Sequence, residues 1–147
     1  MSSSSAGASA EAIAHFRSLF QPLTQEGLTA LAECYSDDVD FTDPLHHHVG
    51  RRAIMAYYRE LMTEVSHCHF DFHQQHVLDQ RCFLEWTMHY SHPSVRGGRT
   101  LSVAGCSHLT WRDQRVCRHR DYYDVGEMLY EQLPLIGWVV RRIKQRL

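Results

Sequence analysis

Two aspartates in this chain sit where acid–base chemistry could be done. Asp121 lies in the run His119-Arg120-Asp121-Tyr122-Tyr123-Asp124. Side chains of a strand alternate with period two, so Asp121 shares a face with His119 and Tyr123. A carboxylate among rings is either a partner-satisfied core acid or a pocket acid able to take a proton or orient water. Asp43 ends an earlier apolar run directly before Pro44, and the residue before a proline is pushed to extended geometry, so Asp43 belongs at a strand end. There it is a general base for a proton next to a carbonyl, or a turn acid that caps the strand end by local hydrogen bonds. The question the sequence poses is whether both acids face one cavity.

Around them, Trp86, Met88, Cys106, His108, His119 and Tyr123, with Tyr57 from a helix, are candidates for a cavity wall that takes a small, mostly apolar ligand. His108 is a candidate donor to a developing oxyanion, with a satisfied structural histidine as the competing reading.

The elements that must hold these residues are legible from periodicity. Ile13, Phe16, Leu19 and Phe20 mark a helix from Ala10 to Phe20 that Pro22 closes. Leu28, Leu31, Ala32 and Tyr35 mark a second helix, and Val39-Asp40-Phe41 a short strand. Gly50 precedes a third helix carrying Ile54, Tyr57, Tyr58, Leu61, Met62 and Val65. The period then changes to two in His67–His73 and Cys82–Tyr90. A hairpin connection with Pro93, Gly97 and Gly98 follows, then a strand from Arg99 to Trp111 with Gly105 as a bulge or close-approach site, and a last strand from Val116 to Asp124. Met128 to Leu147 is helical, broken near Pro134 and Gly137. Its stripe of Val139, Val140, Ile143 and Leu147 is expected to pack on its own domain or on a second copy. Helices followed by antiparallel strands describe an α+β domain, with a curved sheet over helices enclosing a cone-shaped cavity.

Composition narrows the partners. The 147 residues suit one domain, with 1–9 as a loose, disordered tail and 10–147 as the folded unit. A net charge of −2 gives no sign of nucleic acid, and no apolar run approaches the ~20 residues of a membrane span. The Ser/Ala-rich start lacks the basic and apolar parts of a secretory signal. Five cysteines without a C-x-x-C pattern argue against a disulfide framework and for a reducing, cytoplasmic setting. His46-His47-His48 and His67, His69, His73 and His76 invite a metal. Consecutive strand residues point to opposite faces, however, and no acid or thiol completes a familiar ligand set, so no metal is expected.

Two motifs carry a family resemblance that spans Ile13 to Leu147. Tyr35-Ser36-Asp37-Asp38-Val39-Asp40-Phe41-Thr42-Asp43-Pro44, with Gly50 and the Tyr57-Tyr58 helix, resembles the segment of ketosteroid isomerase that supplies a catalytic aspartate, which maps onto Asp43. His119 to Asp124, with Leu133-Pro134-Leu135-Ile136-Gly137, resembles the C-terminal part of limonene epoxide hydrolase, where the acid matching Asp121 positions and activates water. Both belong to the nuclear transport factor 2-like superfamily, together with the SnoaL-like polyketide cyclases. The resemblance implies a cystatin-like α+β barrel, a homodimer and chemistry without a cofactor. The sequence also departs from both enzymes. The first helix offers Phe16, Leu19 and Phe20 where the isomerase has an oxyanion-hole tyrosine, and Cys106 stands where it has a protonated acid. Trp86 and Met88 stand where the epoxide hydrolase has an arginine and an acid.

The expectation is therefore a SnoaL-like pocket protein with no cofactor. It would be an isomerase, cyclase or hydrolase that uses Asp43 or Asp121 as base on a small apolar carbonyl compound or epoxide. The alternatives are a small-ligand binder that has lost the catalytic partners, and a dimerisation domain with a filled cone. A homodimer is expected because the outer face of the sheet reads as rings and aliphatics in need of cover.

Overall fold

The computed structural model describes residues 7–128 and 134–147. Helix α1 spans Ala10–Ser18 and starts where Ser9 Oγ accepts the Ala12 amide at 3.1 Å, which satisfies one of the orphan N–H groups of the first turn. Ile13 and Phe16 turn inward from it. Gly7 and Ser9 are not loose: Gln114, in the turn between the last two strands, donates to Gly7 O and accepts from Ser9 N.

Helix α2 is short, Leu28–Glu33. Tyr35, expected on that helix, instead opens strand β1 (Tyr35–Thr42), where its ring is fully buried. The i+4 step from Leu31 to Tyr35 mimicked one more helical turn, but tertiary pairing decided otherwise, since Tyr35 stands opposite Val116 of the last strand. Asp43 follows β1, as the proline rule requires. The turn 43–46 then returns the chain as β2 (His47–Val49), a three-residue edge strand too short to read from a pattern. Gly50 adopts φ 94°, a conformation that disfavours side chains, and launches helix α3 (Arg51–Glu64), which buries Ile54, Met55 and Tyr58.

Four long strands follow: β3 (His67–Leu78), β4 (Arg81–Ser91), β5 (Leu101–Arg112) and β6 (Arg115–Tyr123). They form one sheet in the order β2-β1-β6-β5-β4-β3. Every pairing is antiparallel except β1 with β6, which is parallel, as a connection long enough to cross over permits. Register shifts between Phe72 and Gln75, and at Thr110/Trp111, bend the sheet so that one face is concave. Helices α1 and α3 cover that face, and Phe16, Ile54, Leu84, Trp86, Leu109 and Trp111 are buried between. This is the α+β cone that the element order predicts.

The opposite face departs from expectation. It carries Phe83 and Tyr122, but also His69, Asp71, His89, Arg118 and Arg120. His69 and His89 each hydrogen-bond one oxygen of Asp71, at 2.8 and 2.9 Å. The face is thus largely polar, and the argument for a dimer from an uncovered apolar sheet loses its premise.

The chain ends in a short turn of helix, α4 (Val125–Met128), and in α5 (Pro134–Lys144), which runs through Gly137 without a break. Leu133, part of the second sequence motif, lies outside the described residues. Val140 approaches Gly126, but Trp138, Val139, Ile143 and Leu147 are exposed, so the stripe of α5 does not pack as a whole on its own domain.

Candidate functional site

The concave face and its helices enclose a cavity of about 310 Å³. Asp43 and Asp121 both line it. The parallel register explains how. Phe41 pairs with His119 and Thr42 with Arg120, so the residues that follow, Asp43 and Asp121, come off adjacent strands on the same face.

The two acids are held differently. Asp43 is 2% exposed at its side chain. Its Oδ1 accepts the amides of Leu45 and His46 at 2.8 and 2.7 Å and lies 3.1 Å from His46 Nδ1. Its Oδ2 accepts Tyr57 Oη at 3.3 Å, and its charge helps to push the Tyr123 phenol upward, after burial. Asp43 is therefore a turn acid as well as a cavity acid, with most of its lone pairs engaged.

Asp121 has one engaged oxygen. Its Oδ1 accepts Ser107 Oγ at 2.5 Å and His119 Nε2 at 2.7 Å, while Oδ2 takes no hydrogen bond from the described residues. The donors behind these contacts have a fixed direction. Trp86 Nε1, a donor only, donates to Ser107 Oγ at 2.9 Å, so Ser107 spends its own proton on Asp121. A carboxylate accepts only, so against an ionised Asp121 His119 donates from Nε2; on its other side His119 Nδ1 lies 2.9 Å from Tyr35 Oη, which shares a hydrogen bond of 3.0 Å with Tyr58 Oη. Two hydrogen-bonded chains thus converge on one carboxylate oxygen of a side chain that lines the cavity and leave the other oxygen without a donor among the described residues. Burial pushes the phenols of Tyr35 and Tyr58 well above their ordinary range, so both stay protonated and able to donate.

The rest of the wall comes from several elements. Tyr57, Trp86, Met88, His119 and Tyr123 line the cavity, joined by Phe16, Phe20 and Phe70. Burial first, then the charge of Asp43, pushes the Tyr57 and Tyr123 phenols upward, and Asp121 adds to both shifts. Tyr57 and Tyr123 therefore lie in the field of both carboxylates.

Cys106 and His108 do not line the cavity. Cys106 pairs with Glu85 and His108 with Phe83, residues of the outward face, and the His108 ring stacks on Phe83 at 4.4 Å. The inward residues of β5 are the odd ones: Val103, Gly105, Ser107, Leu109 and Trp111. His108 is thus no oxyanion donor in this cavity, and the polar group β5 supplies is Ser107. The run of Val103, Leu109 and Trp111 is the sequence signal that reveals this parity. Ser107 follows from it; Tyr35 and Tyr58 as relay members follow from no local pattern.

The histidine triplet divides as strand geometry demands. His46 and His48 stack at 5.9 Å beside Tyr57, whereas His47 points away to Asp40 at 3.2 Å. Among the described residues, no group of three or more His, Cys, Asp or Glu side chains is arranged to hold a metal ion. No helix among them is long and apolar enough to cross a membrane.

Residues 11–119 match the model of the SnoaL-like domain, and the chain belongs to that family. Solved structures with the same fold include a protein with a ketosteroid isomerase-like fold from Catenulispora acidiphila, in complex with trimethylamine. It has 13% identity and a TM-score of 0.72, over 84% of this chain and 92% of that one. An NTF2-like protein of unknown function from Burkholderia pseudomallei has 15% identity and a TM-score of 0.71, over 81% and 92%. An LEH-like epoxide hydrolase from M. tuberculosis has 20% identity and a TM-score of 0.68, over 89% and 94%. At these identities the likeness extends to the fold alone. No curated protein matches the sequence.

Proposed function

We propose that this protein is a cofactor-independent enzyme in which Asp121 is the general base and the substrate is a small, mostly apolar carbonyl compound or epoxide. The observation that carries this reading is the asymmetry of Asp121, a cavity-lining acid with one oxygen fixed by Ser107 and His119 and the other without a hydrogen bond from the described residues. A base needs a free lone pair aimed at the substrate and an orientation that does not wander, and the two relays supply the second. Through Oδ2, Asp121 would take a proton from a carbon beside a carbonyl, or from a water attacking an epoxide. Tyr57 and Tyr123 line the same cavity with protonated phenols, and a phenol that turns from Asp43 would donate to the substrate oxygen where negative charge develops. Asp43 would hold that pair of phenols rather than act as base.

The test is deuterium incorporation into cyclohexanone in heavy water, with hydrolysis of cyclohexene oxide and styrene oxide run in parallel. Wild type should exceed buffer in one of these, and Asp121→Asn should lose about 10²–10⁴-fold of that rate. No turnover in any of them, with the probes still bound, would overturn the enzyme reading. It would favour a non-catalytic binder, the reading to which the scarcity of free lone pairs on Asp43 belongs. We also propose a homodimer, which sedimentation velocity tests directly.

A further inference from the structure

The charge on the cavity wall is one-sided. Asp43, Glu60, Glu64 and Asp121 line it, and among the described residues no lysine or arginine does. Among the described residues none of the four makes an ion pair with a lysine or arginine; the Lys and Arg pairs there are to Glu33, Asp37, Asp38 and Asp124. Among the described residues Asp121 meets Ser107 and His119, and Asp43 meets the Leu45 and His46 amides, Tyr57 and the His46 ring. Carboxylates as buried as Asp43 and Asp121, with no lysine or arginine beside them among the described residues, are costly, and the cost is relieved by a cation that arrives with the ligand.

The remainder of the wall suits such a cation. Tyr57, Phe70, Trp86 and Tyr123 present rings to the same space. Ring faces attract an alkylated ammonium, which gives up little hydration on entering. Phe70 and Trp86 meet edge to face with centroids 5.0 Å apart, which makes a corner rather than a flat wall. Glu60 and Glu64 stand four residues apart on α3, both exposed, and give the entrance a negative potential that draws cations in.

We infer that the ligand of this cavity is a small organic cation, an alkylated amine or quaternary ammonium compound whose charged nitrogen sits between the rings and Asp121. This deepens the reading of the same site as a base-catalysed pocket. The reacting carbonyl or epoxide would lie beside the cationic nitrogen in the same molecule, so that attraction of the nitrogen to Asp121 brings the reacting centre against Oδ2, and the electron pair goes to the carbonyl or epoxide oxygen.

The experiment compares choline with its neutral isostere 3,3-dimethylbutan-1-ol, which differs in replacing N⁺ by carbon, using isothermal titration calorimetry on the wild-type chain. Choline should bind at least about tenfold more tightly, a difference of about 1.4 kcal/mol. Asp121→Asn should abolish that preference. Glu60→Gln with Glu64→Gln, both at exposed positions, should weaken choline binding at low salt and make its salt dependence shallower. Equal or tighter binding of the alcohol by wild type overturns the inference without reference to any variant, so a misfolded variant does not rescue it. Turnover of neutral ketone or epoxide with no preference for choline would sink the cation and keep the base; an Asp121-dependent choline preference with no turnover would do the reverse.

Discussion

The indole of Trp86 lies across Gly105 of the neighbouring strand so closely that a Cβ on Gly105 would stand 2.2 Å from its Cη2. The two residues are register partners, and the missing side chain is what lets the ring lie flat against β5 with Nε1 reaching Ser107. Backbone approach and hydrogen bonding are thus one arrangement, and it ends at Asp121.

Gly105→Ala should therefore destabilise the fold by about 1–3 kcal/mol, the usual penalty of overpacking a filled site. It should also shift the Trp86 ring off Ser107. Urea unfolding reads the first effect and tryptophan emission the second. A stability unchanged from wild type would mean that the ring has free room to move.

Ser107→Ala removes the acceptor of Trp86 Nε1 and a donor to Asp121 in one step. A buried N–H left without a partner costs about 1–3 kcal/mol, so the melting temperature should fall. Tyr35→Phe interrupts the other relay, leaving His119 Nδ1 and Tyr58 without their shared hydroxyl, with a loss of similar size. Both variants loosen Asp121, and both should lower turnover beyond what the loss of folded protein explains. Rates normalised to folded fraction by circular dichroism decide it.

Asp43 separates turn from catalysis. Asp43→Asn retains a side-chain oxygen able to accept the Leu45 and His46 amides, and asparagine suits such turns. It should cost well under half of what Asp43→Ala costs, for which we expect about 1–3 kcal/mol. Thermal melts of the two variants side by side give the comparison. Equal losses would assign the energy to charge rather than to the turn.

Stability should fall in alkali. Burial raises the Cys34 and Cys82 thiols to about 11 and the Cys68 thiol to about 12, and it raises the phenols of Tyr35, Tyr57, Tyr58 and Tyr123. In the unfolded chain these groups ionise from their ordinary values upward, so above about pH 9 the native state holds more protons than the unfolded state. Their contribution is fully present below about pH 9 and is lost as pH rises through 11 and 12. Urea midpoints should be level from about pH 7 to pH 8.5 and drop at about pH 10.5. For the same reason, a thiol reagent at about pH 8 should label the native cysteines far more slowly than the unfolded ones.

Much of this arrangement is written in local pattern. Period two in His119 to Tyr123 puts His119, Asp121 and Tyr123 on one face whatever the sheet does, and the same rule separates His47 from His46 and His48. Helical steps from Ile54 to Leu61 define α3 with Tyr57 and Tyr58 turned inward, and Asp43-Pro44 marks the end of β1. What the pattern left open was which set of β5 faces in. Cys106 and His108 bear chemically suggestive side chains, yet the apolar partners Val103, Leu109 and Trp111 belong to the other parity, and burial obeys them. The choice of Tyr35 for strand over helix, the existence of β2 and the parallel pairing of β1 with β6 were decided only by tertiary contacts. Each depends on residues far apart in sequence, and a short segment carries no information about its distant neighbour. That last pairing matters most. It sets the strand ending at Thr42 beside Arg120, and so makes two acids from opposite ends of the chain into walls of a single cavity.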